Sequence, residues 1–294
     1  MNKTTARLLK LIDEGQQIRI YLADTQAVVE EAARRHGCSA TASAALGRSL
    51  TAACMMGSDL KGEKDLLTLR IRGNGPGGEI VVTAASDGSV RGYILNPEAD
   101  VPSKYPGKLD VGRLVGSEGT LEVIRDMGME QPFVGQVELV SGEIAEDVAQ
   151  YFFQSEQVPS LVSLGVLVDP DLSIHAAQGL FVQALPGADD ALLQRMEEQI
   201  RAMGPISGWN EKFGGLEQQA EVMMAGIPYR KVGEEPLCFR CNCSHDRLLK
   251  ILSRLDGRDI QEMLEENRDV EVVCHFCGEK YHFSPQELLQ GTGK

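Results

Sequence analysis

Four cysteines near the end of the chain form two close pairs, and this pattern constrains the fold more than any other feature of the sequence. Cys241 and Cys243 make a C-x-C motif, and after residues 244–273 Cys274 and Cys277 make a C-x-x-C motif. Four thiolates that arrive as two pairs, each from one turn, suit the tetrahedral site of a zinc ion. The pattern therefore predicts a metal-stapled unit with these four cysteines as ligands, and favours it over inert buried thiols.

The C-x-C spacing of the first pair connects this predicted metal site with redox chemistry. Cysteines two residues apart can form a disulfide, but the small ring is strained, and strained disulfides are labile and often regulatory. Thiolates on a metal are already deprotonated and are therefore available to oxidants. Zinc release coupled to oxidation is one interpretation, and a purely structural zinc knuckle is the other.

Other potential ligands lie close to the two pairs. Cys238 and Cys241 form a further C-x-x-C motif, so five cysteines compete for four ligand positions. Cys238 is accordingly an alternative ligand or disulfide partner. The neighbouring histidines are less favoured as ligands, because histidine near such a site more often has an outer or surface role; they are His245, His275 and His282.

The two remaining cysteines stand alone. Cys38 follows Gly37 at a predicted helix start, where the helix terminus would lower the pKa of its thiol. Cys54 lies in an apolar segment and is interpreted as a core residue.

Composition and charge exclude several classes of protein. Seven cysteines, an odd number, in a chain whose first residues do not resemble a signal peptide argue against a disulfide framework and for a cytosolic protein. The net charge of −14 opposes nucleic-acid binding, which needs a basic surface. No apolar run reaches the length of about eighteen residues that a membrane span requires.

Residues 1–185 predict an α+β core domain. The helix expected over 40–58 consists of small and apolar residues on all sides and carries Arg48 as its only charge, so it should be buried, with β-sheets close to it on more than one side. An Asp-Gly pair at 87–88 between two strand-like runs predicts a hairpin. Other helices are predicted at 25–37 and 141–153, and strands at 17–22, 67–72, 80–82, 90–95, 120–125, 133–140, 161–168 and 173–185.

The composition changes after residue 185. Residues 186–236 predict a helical linker, with one helix that Asp189 caps and a short helical piece near 216–225. This segment has too few bulky residues for its own core, so it should pack on another part of the chain. If its apolar side chains were exposed, they would bind other apolar surfaces.

Residues 237–294 predict a zinc-binding redox-switch domain. Two short helices near 246–255 and 258–266, a strand at 270–273, a turn, a strand at 281–283 and a final helix that starts at Ser284-Pro285 make up this unit. A unit of this size is marginally stable unless a metal or disulfide holds it.

No catalytic motif stands out in the sequence. Residues 73–78 match the spacing G-x-G-x-x-G, but a strand is predicted after them where a dinucleotide site requires a helix. No Ser-His-Asp arrangement can be identified from the spacing of these residue types. The residues therefore do not predict an enzyme.

The sequence resembles the 33-kDa chaperonin family, the redox-regulated heat-shock holdases of bacteria, over nearly its whole length. The C-x-C and C-x-x-C pattern is the specific element of this resemblance, and the other motifs add weight because they occur in the family's order. The segments that carry it are 239–244, 274–278 and 281–283, and in the core 35–37, 41–48, 73–78, 107–110, 140–143 and 155–160. Cys238 departs from the common pattern of this family.

The resemblance implies an ATP-independent chaperone that is inactive while it is reduced and holds one Zn²⁺ per chain. Oxidation would join Cys241 to Cys243 and Cys274 to Cys277, release zinc, and unfold the zinc domain and then the linker. The active form would be a homodimer in the bacterial cytoplasm that binds unfolding client proteins and prevents their aggregation. Neither nucleic acid nor a membrane is expected as a partner.

Two alternatives from other functional classes remain open at this point. One is a zinc-containing thiol-disulfide oxidoreductase that uses Cys274 and Cys277, although this motif lacks the strand-to-helix context of a thioredoxin-like site. The other is a zinc-ribbon adaptor for nucleic acid, which the charge of −14 opposes.

Overall fold

The structure, a computed structural model, describes residues 5–105, 107–252, 269–284 and 286–288 of the chain. The chain separates into two units, Met1–Phe239 and Arg240–Lys294. The helices are α1 (Gln26–His36), α2 (Ala40–Gly57), α3 (Val111–Val115), α4 (Ala145–Gln154), α5 (Asp190–Met203), α6 (Trp209–Phe213), α7 (Leu216–Met223) and α8 (His245–Leu252), with a short 3-10 helix at Ile206–Gly208. The strands are β1 (Arg7–Asp13), β2 (Ile18–Asp24), β3 (Leu66–Gly73), β4 (Ile80–Ala85), β5 (Ser89–Ile94), β6 (Gly119–Asp126), β7 (Phe133–Glu138), β8 (Ser160–Val168), β9 (Ile174–Ala184), β10 (Tyr229–Pro236), β11 (Cys238–Phe239), β12 (Val270–Val273) and β13 (Lys280–Phe283).

Two sheets form the frame of the first unit. The five-stranded sheet has the order β10-β1-β2-β9-β8, and the six-stranded sheet has the order β11-β5-β4-β3-β6-β7. Neighbouring strands are antiparallel apart from β11, which runs parallel to β5. The hairpin predicted at 87–88 joins β4 to β5. β8 and β7 are outer strands of their sheets.

Helix α2 lies between the two sheets. Ser39 caps it by accepting a hydrogen bond from the amide of Ala42 at 3.1 Å, and almost all of its residues are buried. A methyl group added at Gly47 would lie 3.0 Å from Val166 of the five-stranded sheet, and one added at Gly57 would lie 2.7 Å from Ala84 of the six-stranded sheet. The α+β class with a helix buried between sheets is thereby confirmed, and small side chains are what allow the close approach.

The segment that follows β9 covers the outer face of the five-stranded sheet. Apolar side chains of β1, β2 and β9 form a continuous buried cluster with side chains of α5, α6 and α7. The segment packs on the core as expected, but it is not helical throughout. Residues 229–236 form β10, which pairs with β1. All residues of β10 are exposed or half-buried, and its pairing with a strand more than 200 residues away in sequence gives no local signal.

Helix α4 is shorter than the helix predicted over 141–153. The carboxylate of Asp147 accepts hydrogen bonds from the amides of Val140 (2.7 Å), Ser141 (3.1 Å) and Ile144 (3.0 Å). Ile144 has a φ of 65°, which no helix contains. The side chain of Asp147 therefore holds the preceding residues in a loop, and the helix begins at Ala145.

The second unit contains α8 and the hairpin of β12 and β13. Among its described residues, Phe283 and Leu288 form the buried core, with half-buried side chains packed around them. The helix predicted at 258–266 lies outside the described residues, as does Pro285 at the predicted start of the final helix; residues 286–288 are helical. None of the helices in the described part of the chain has the length and apolar character that a bilayer crossing needs.

Candidate metal centre

The four paired cysteines of the second unit lie together. The sulfur atoms of Cys241, Cys243, Cys274 and Cys277 are all within 4.8 Å of one another. Cys241 Sγ lies 3.8 Å from Cys274 Sγ, and Cys243 Sγ lies 3.3 Å from Cys277 Sγ. Four zinc–sulfur bonds of about 2.3 Å in tetrahedral geometry would separate the sulfurs by about 3.8 Å. The four thiols can therefore hold a metal ion, and their number, type and spacing fit zinc.

The turn between β12 and β13 positions the second pair of cysteines. The amides of Cys277 and Gly278 both donate to the carbonyl of Cys274, at 3.2 and 2.8 Å, and the amide of Cys274 donates to the carbonyl of Glu279 at 2.9 Å. Gly278 has a φ of 69°, a conformation that glycine adopts without strain. This turn folds the two thiols toward one side of the hairpin end.

The first pair lies in the loop before α8. The amide of Leu248 donates to the carbonyl of Ser244 at 3.0 Å, and the hydroxyl of Ser244 accepts from the amide of Arg247 at 3.2 Å. The helix start is thereby anchored one residue after Cys243. The two cysteine pairs come from separate loops, and a metal held by both would tie these loops together.

The thiols differ in their proton affinity. Burial raises the pKa of the Cys243 thiol, but hydrogen bonds, first of all with the Tyr281 hydroxyl at 3.2 Å, bring that pKa below its ordinary value. Burial raises the pKa of Cys274 and of Cys277, the latter being only 2% exposed. Since a metal binds the thiolate form, Cys243 is the thiol that the protein itself predisposes to coordination. Sequence reasoning did not identify Tyr281 as a contact of the site, because no spacing rule relates it to Cys243.

The remaining cysteines are elsewhere. Cys38 and Cys54 are buried in the first unit, and burial raises the pKa of both thiols, that of Cys38 to about 12. The expectation of a lowered pKa at Cys38 is therefore wrong, because apolar surroundings outweigh the effect of the nearby helix start. Cys238 is exposed in β11, and its amide donates to the carbonyl of Gly88 at 3.1 Å. Its role as an alternative ligand or disulfide partner stays a prediction.

The histidines near the cysteine pairs have other contacts. The ring of His245 stacks on Phe283 at a centroid distance of 4.4 Å, and His282 lies 3.6 Å from a carboxylate oxygen of Glu271. Within the described residues, the group of side chains able to hold a metal contains only cysteines.

Three comparisons place the chain among known proteins. Residues 6–284 match the family described as Hsp33 protein. A 33 kDa chaperonin from Oceanobacillus iheyensis is 45% identical over 282 residues, which cover 96% of this chain and 97% of that one. One from Alkaliphilus metalliredigens is 44% identical over 287 residues, 98% of each chain. A crystal structure of a 33 kDa chaperonin from Thermotoga maritima superposes with a TM-score of 0.89 at 36% identity and covers 98% of both chains.

Proposed function

The chain belongs to the Hsp33 protein family, and we propose that it is a redox-regulated, ATP-independent holdase. The observation that carries this proposal is the group of four thiols within 4.8 Å of one another in the second unit. The relatives are named chaperonins, which agrees with a chaperone rather than an enzyme.

In the reduced state, Cys241, Cys243, Cys274 and Cys277 would hold one Zn²⁺. The bound ion supplies folding free energy, on the order of 10 kcal/mol or more for structural zinc, to a unit as short as Arg240–Lys294. The protein holds the two loops in the geometry that four thiolates need, and Tyr281 stabilises the thiolate of Cys243.

Oxidation would convert these thiols into disulfides from Cys241 to Cys243 and from Cys274 to Cys277. Each disulfide removes two electrons and two protons from a pair of thiols, and one hydrogen peroxide accepts them and becomes two waters. The short sulfur–sulfur distances, 3.8 Å for Cys241–Cys274 and 3.3 Å for Cys243–Cys277, join the two motifs to each other, so the proposed pairing rests on the family resemblance and not on proximity. Disulfides leave no thiolate for the metal, so oxidation and metal release are expected together.

Loss of the metal would unfold the zinc domain, residues 237–294, and then the linker, residues 186–236, while the core domain, residues 1–185, remains folded. In the first unit, the linker segment packs on the five-stranded sheet. The linker covers an apolar sheet face formed by Leu9, Leu11, Ile18, Ile20, Leu22, Leu180 and Val182. Removing it would expose a contiguous apolar surface that can bind unfolding proteins. The active form is proposed to be a homodimer in the bacterial cytoplasm.

The test follows zinc and activity in one sample. The reduced, zinc-loaded protein is treated with hypochlorite, or with peroxide and heat, while a chromogenic chelator reports zinc and light scattering reports aggregation of thermally unfolding citrate synthase. The expected result is release of one zinc per chain together with suppression of aggregation, both reversed by a reductant. Cys238→Ser, which keeps all four clustered thiols, tests the remaining role of Cys238: wild-type behaviour would mean that it is neither a ligand nor a disulfide partner.

Two results would contradict the proposal. If zinc leaves without any gain in suppression, the second unit is a structural knuckle. If the protein turns over a small disulfide substrate at enzyme-like rates, the oxidoreductase alternative applies instead.

A further inference from the structure

Strand β8 ends the five-stranded sheet and leaves one side of its backbone unpaired. The amide of Ala184 donates to the carbonyl of Pro159 at 3.0 Å, next to the facing residues Ser160 and Gln183. In an antiparallel pair, residues that exchange hydrogen bonds alternate with residues that do not. This contact sets the alternation: the odd-numbered residues of β8 bond to β9, and the even-numbered residues direct N–H and C=O away from it.

The outward-directed main-chain groups of Val162, Leu164 and Val166 are here called the β8 edge. Within the described part of the chain, no strand lies on this side of β8, and no backbone hydrogen bond reaches these groups. The side chains of Leu164 and Val166 are buried on the α2 side, so the strand is held firmly, while its outward main-chain groups have no backbone partner among the described residues.

Proteins usually protect such an edge with proline, lysine or a bulge. β8 contains neither proline nor lysine, and its one irregularity lies at its end, between Leu167 and Val168. The outer side of β8 therefore lacks these sequence features, and an outer strand of this kind is where an extended peptide can add to a sheet.

A groove follows the β8 edge. One cavity of about 630 Å³ lies beside residues 159–162, and another of about 810 Å³ lies beside residues 162–168. The two cavities share Ala145, Glu146 and Val162 in their lining. The first has an apolar wall that includes Val140 and Phe153, whose side chains are 54% and 63% exposed.

The second cavity is richer in positive charge than the acidic chain as a whole. Arg48, Lys104 and Lys108 line it, against Glu143 and Glu146. Arg48 and Lys104 both approach the carboxylate of Glu143, at 2.8 and 3.7 Å. The groove is therefore apolar at one end and carries a net positive charge at the other.

We propose that the β8 edge captures extended segments of unfolding polypeptides by adding them to the sheet as a sixth strand. This inference rests on the proposed holdase function and names the mode of recognition. Main-chain hydrogen bonds are the same for almost every sequence, and a holdase must bind many sequences. The apolar wall favours segments with apolar side chains, and the basic end favours acidic flanking residues.

Part of the groove belongs to the linker. Leu193, Met196 and Glu197 of α5 line the first cavity, and residues 205–207 line the second. Gly165 lies against the 3-10 helix at Ile206–Gly208. A methyl group added at Gly165 would be 2.7 Å from the amide nitrogen of Ser207. Release of residues 186–236 would remove this wall, so the β8 edge would accept a strand more readily in the oxidised protein.

The test uses peptides that differ only in their backbone. The probe is a fluorescein-labelled peptide of about ten residues, the length of a long strand, with alternating Val and Thr. Two variants of this peptide carry N-methyl groups on alternate residues, one on the odd-numbered and the other on the even-numbered residues. Each variant therefore lacks the amide hydrogen-bond donors along one side of the strand. Fluorescence anisotropy measures their affinity for the oxidised full-length protein.

The expected result is a loss of affinity of about tenfold or more for one methylated peptide, since it loses two or more hydrogen bonds. The other methylated peptide should bind like the parent. Equal binding of both by a protein that still suppresses citrate synthase aggregation would overturn the β8 proposal and leave the holdase function intact. Absence of aggregation suppression would instead refute the holdase function.

A substitution in the protein locates the site. Val162→Pro removes an N–H that bonds to nothing in the sheet, and proline is tolerated on edge strands. The control is Val134→Pro in β7, the outer strand of the other sheet. The amide of Leu139 donates to the carbonyl of Gly119 at 3.0 Å, so the odd-numbered residues of β7 bond to β6 and the N–H of Val134 points outward. Zinc content and circular dichroism check that both variants fold.

We expect Val162→Pro, which removes one donor, to weaken binding of the parent peptide about threefold to tenfold and Val134→Pro to leave it unchanged. Equal effects of both substitutions would overturn the assignment to β8. If Val162→Pro alters only the monomer–dimer equilibrium in sedimentation, the edge belongs to self-association of the chain and the proposal is wrong.

Discussion

Replacing Trp209 should release the linker from the five-stranded sheet while the metal stays bound. The Trp209 side chain is 1% exposed, its indole N–H donates to the carbonyl of Gly204 at 3.0 Å, and its ring meets Phe213 edge-on at 6.3 Å. Replacing a buried tryptophan with alanine costs about 3–5 kcal/mol. A folded domain has only about 5–15 kcal/mol in total, so Trp209→Ala should largely undock the linker while the four zinc ligands remain unchanged.

The assay measures undocking in the reduced, zinc-loaded protein. Limited proteolysis should cut residues 186–236 much faster in Trp209→Ala than in the wild type, and aggregation suppression should appear without any oxidant. The control is Val222→Ala in the same segment, because Val222 is 42% exposed and its loss should change stability by less than about 0.5 kcal/mol.

One result would refute this reasoning. If Trp209→Ala retains one zinc per chain and becomes sensitive to protease, yet suppresses aggregation only after oxidation, exposure of the sheet face is not what activates the protein. Unchanged protease sensitivity would refute the stability argument itself.

The other predictions concern charge, metal and packing. The guanidinium of Arg7 lowers the pKa of Glu217 to about 2, below its ordinary 4.5, so the stabilising contact is complete above pH 4.5 and is lost as the pH falls toward 2. Arg7→Gln should remove this acid dependence from thermal melting curves, with an effect of at most about 1 kcal/mol because the pair is partly exposed. Chelation of the metal under reducing conditions should abolish amide protection in residues 240–294 while that of the two sheets persists. Gly47→Ala should cost about 1–3 kcal/mol in urea unfolding, because the new methyl group would lie 2.6 Å from Val29.

Each of these has a result that contradicts it. An acid-induced loss of stability that is as large in Arg7→Gln as in the wild type would assign the pH dependence to other groups. Continued amide protection after complete zinc removal would show that the second unit folds without the metal. A neutral Gly47→Ala would mean that α2 can shift between the sheets, against the close packing described here.

Local patterns were sufficient to predict much of the fold. The small residues of 40–57, the Asp-Gly turn before β5 and the cap at Asp189 all act within a few residues of sequence, and the structure has the corresponding helices and hairpin. The α+β class follows from the order of such elements. The four-cysteine pattern is also local within each pair, which is why its members could be named before their geometry was known.

Two strands illustrate why the rest could not be predicted. β1 is buried on both faces, at Leu8, Leu9 and Leu11, so it lacks the alternation that marks a half-buried strand. β10 is mostly exposed or half-buried, and it exists as a strand because β1 offers it partners. Sequence patterns report on the neighbours of a residue in the chain, whereas strand pairing depends on neighbours in space.

The sequence by itself determined which residues form α2, which thiols can gather around a metal, and where the chain changes from core to linker composition. Only the tertiary structure decided that Tyr281 contacts Cys243, that the linker ends as a strand paired with β1, and that the β8 edge lies along a groove. The first group depends on residue type and spacing along the chain. The second depends on which distant surfaces are brought into contact, and that is established only when the sheets are assembled around α2.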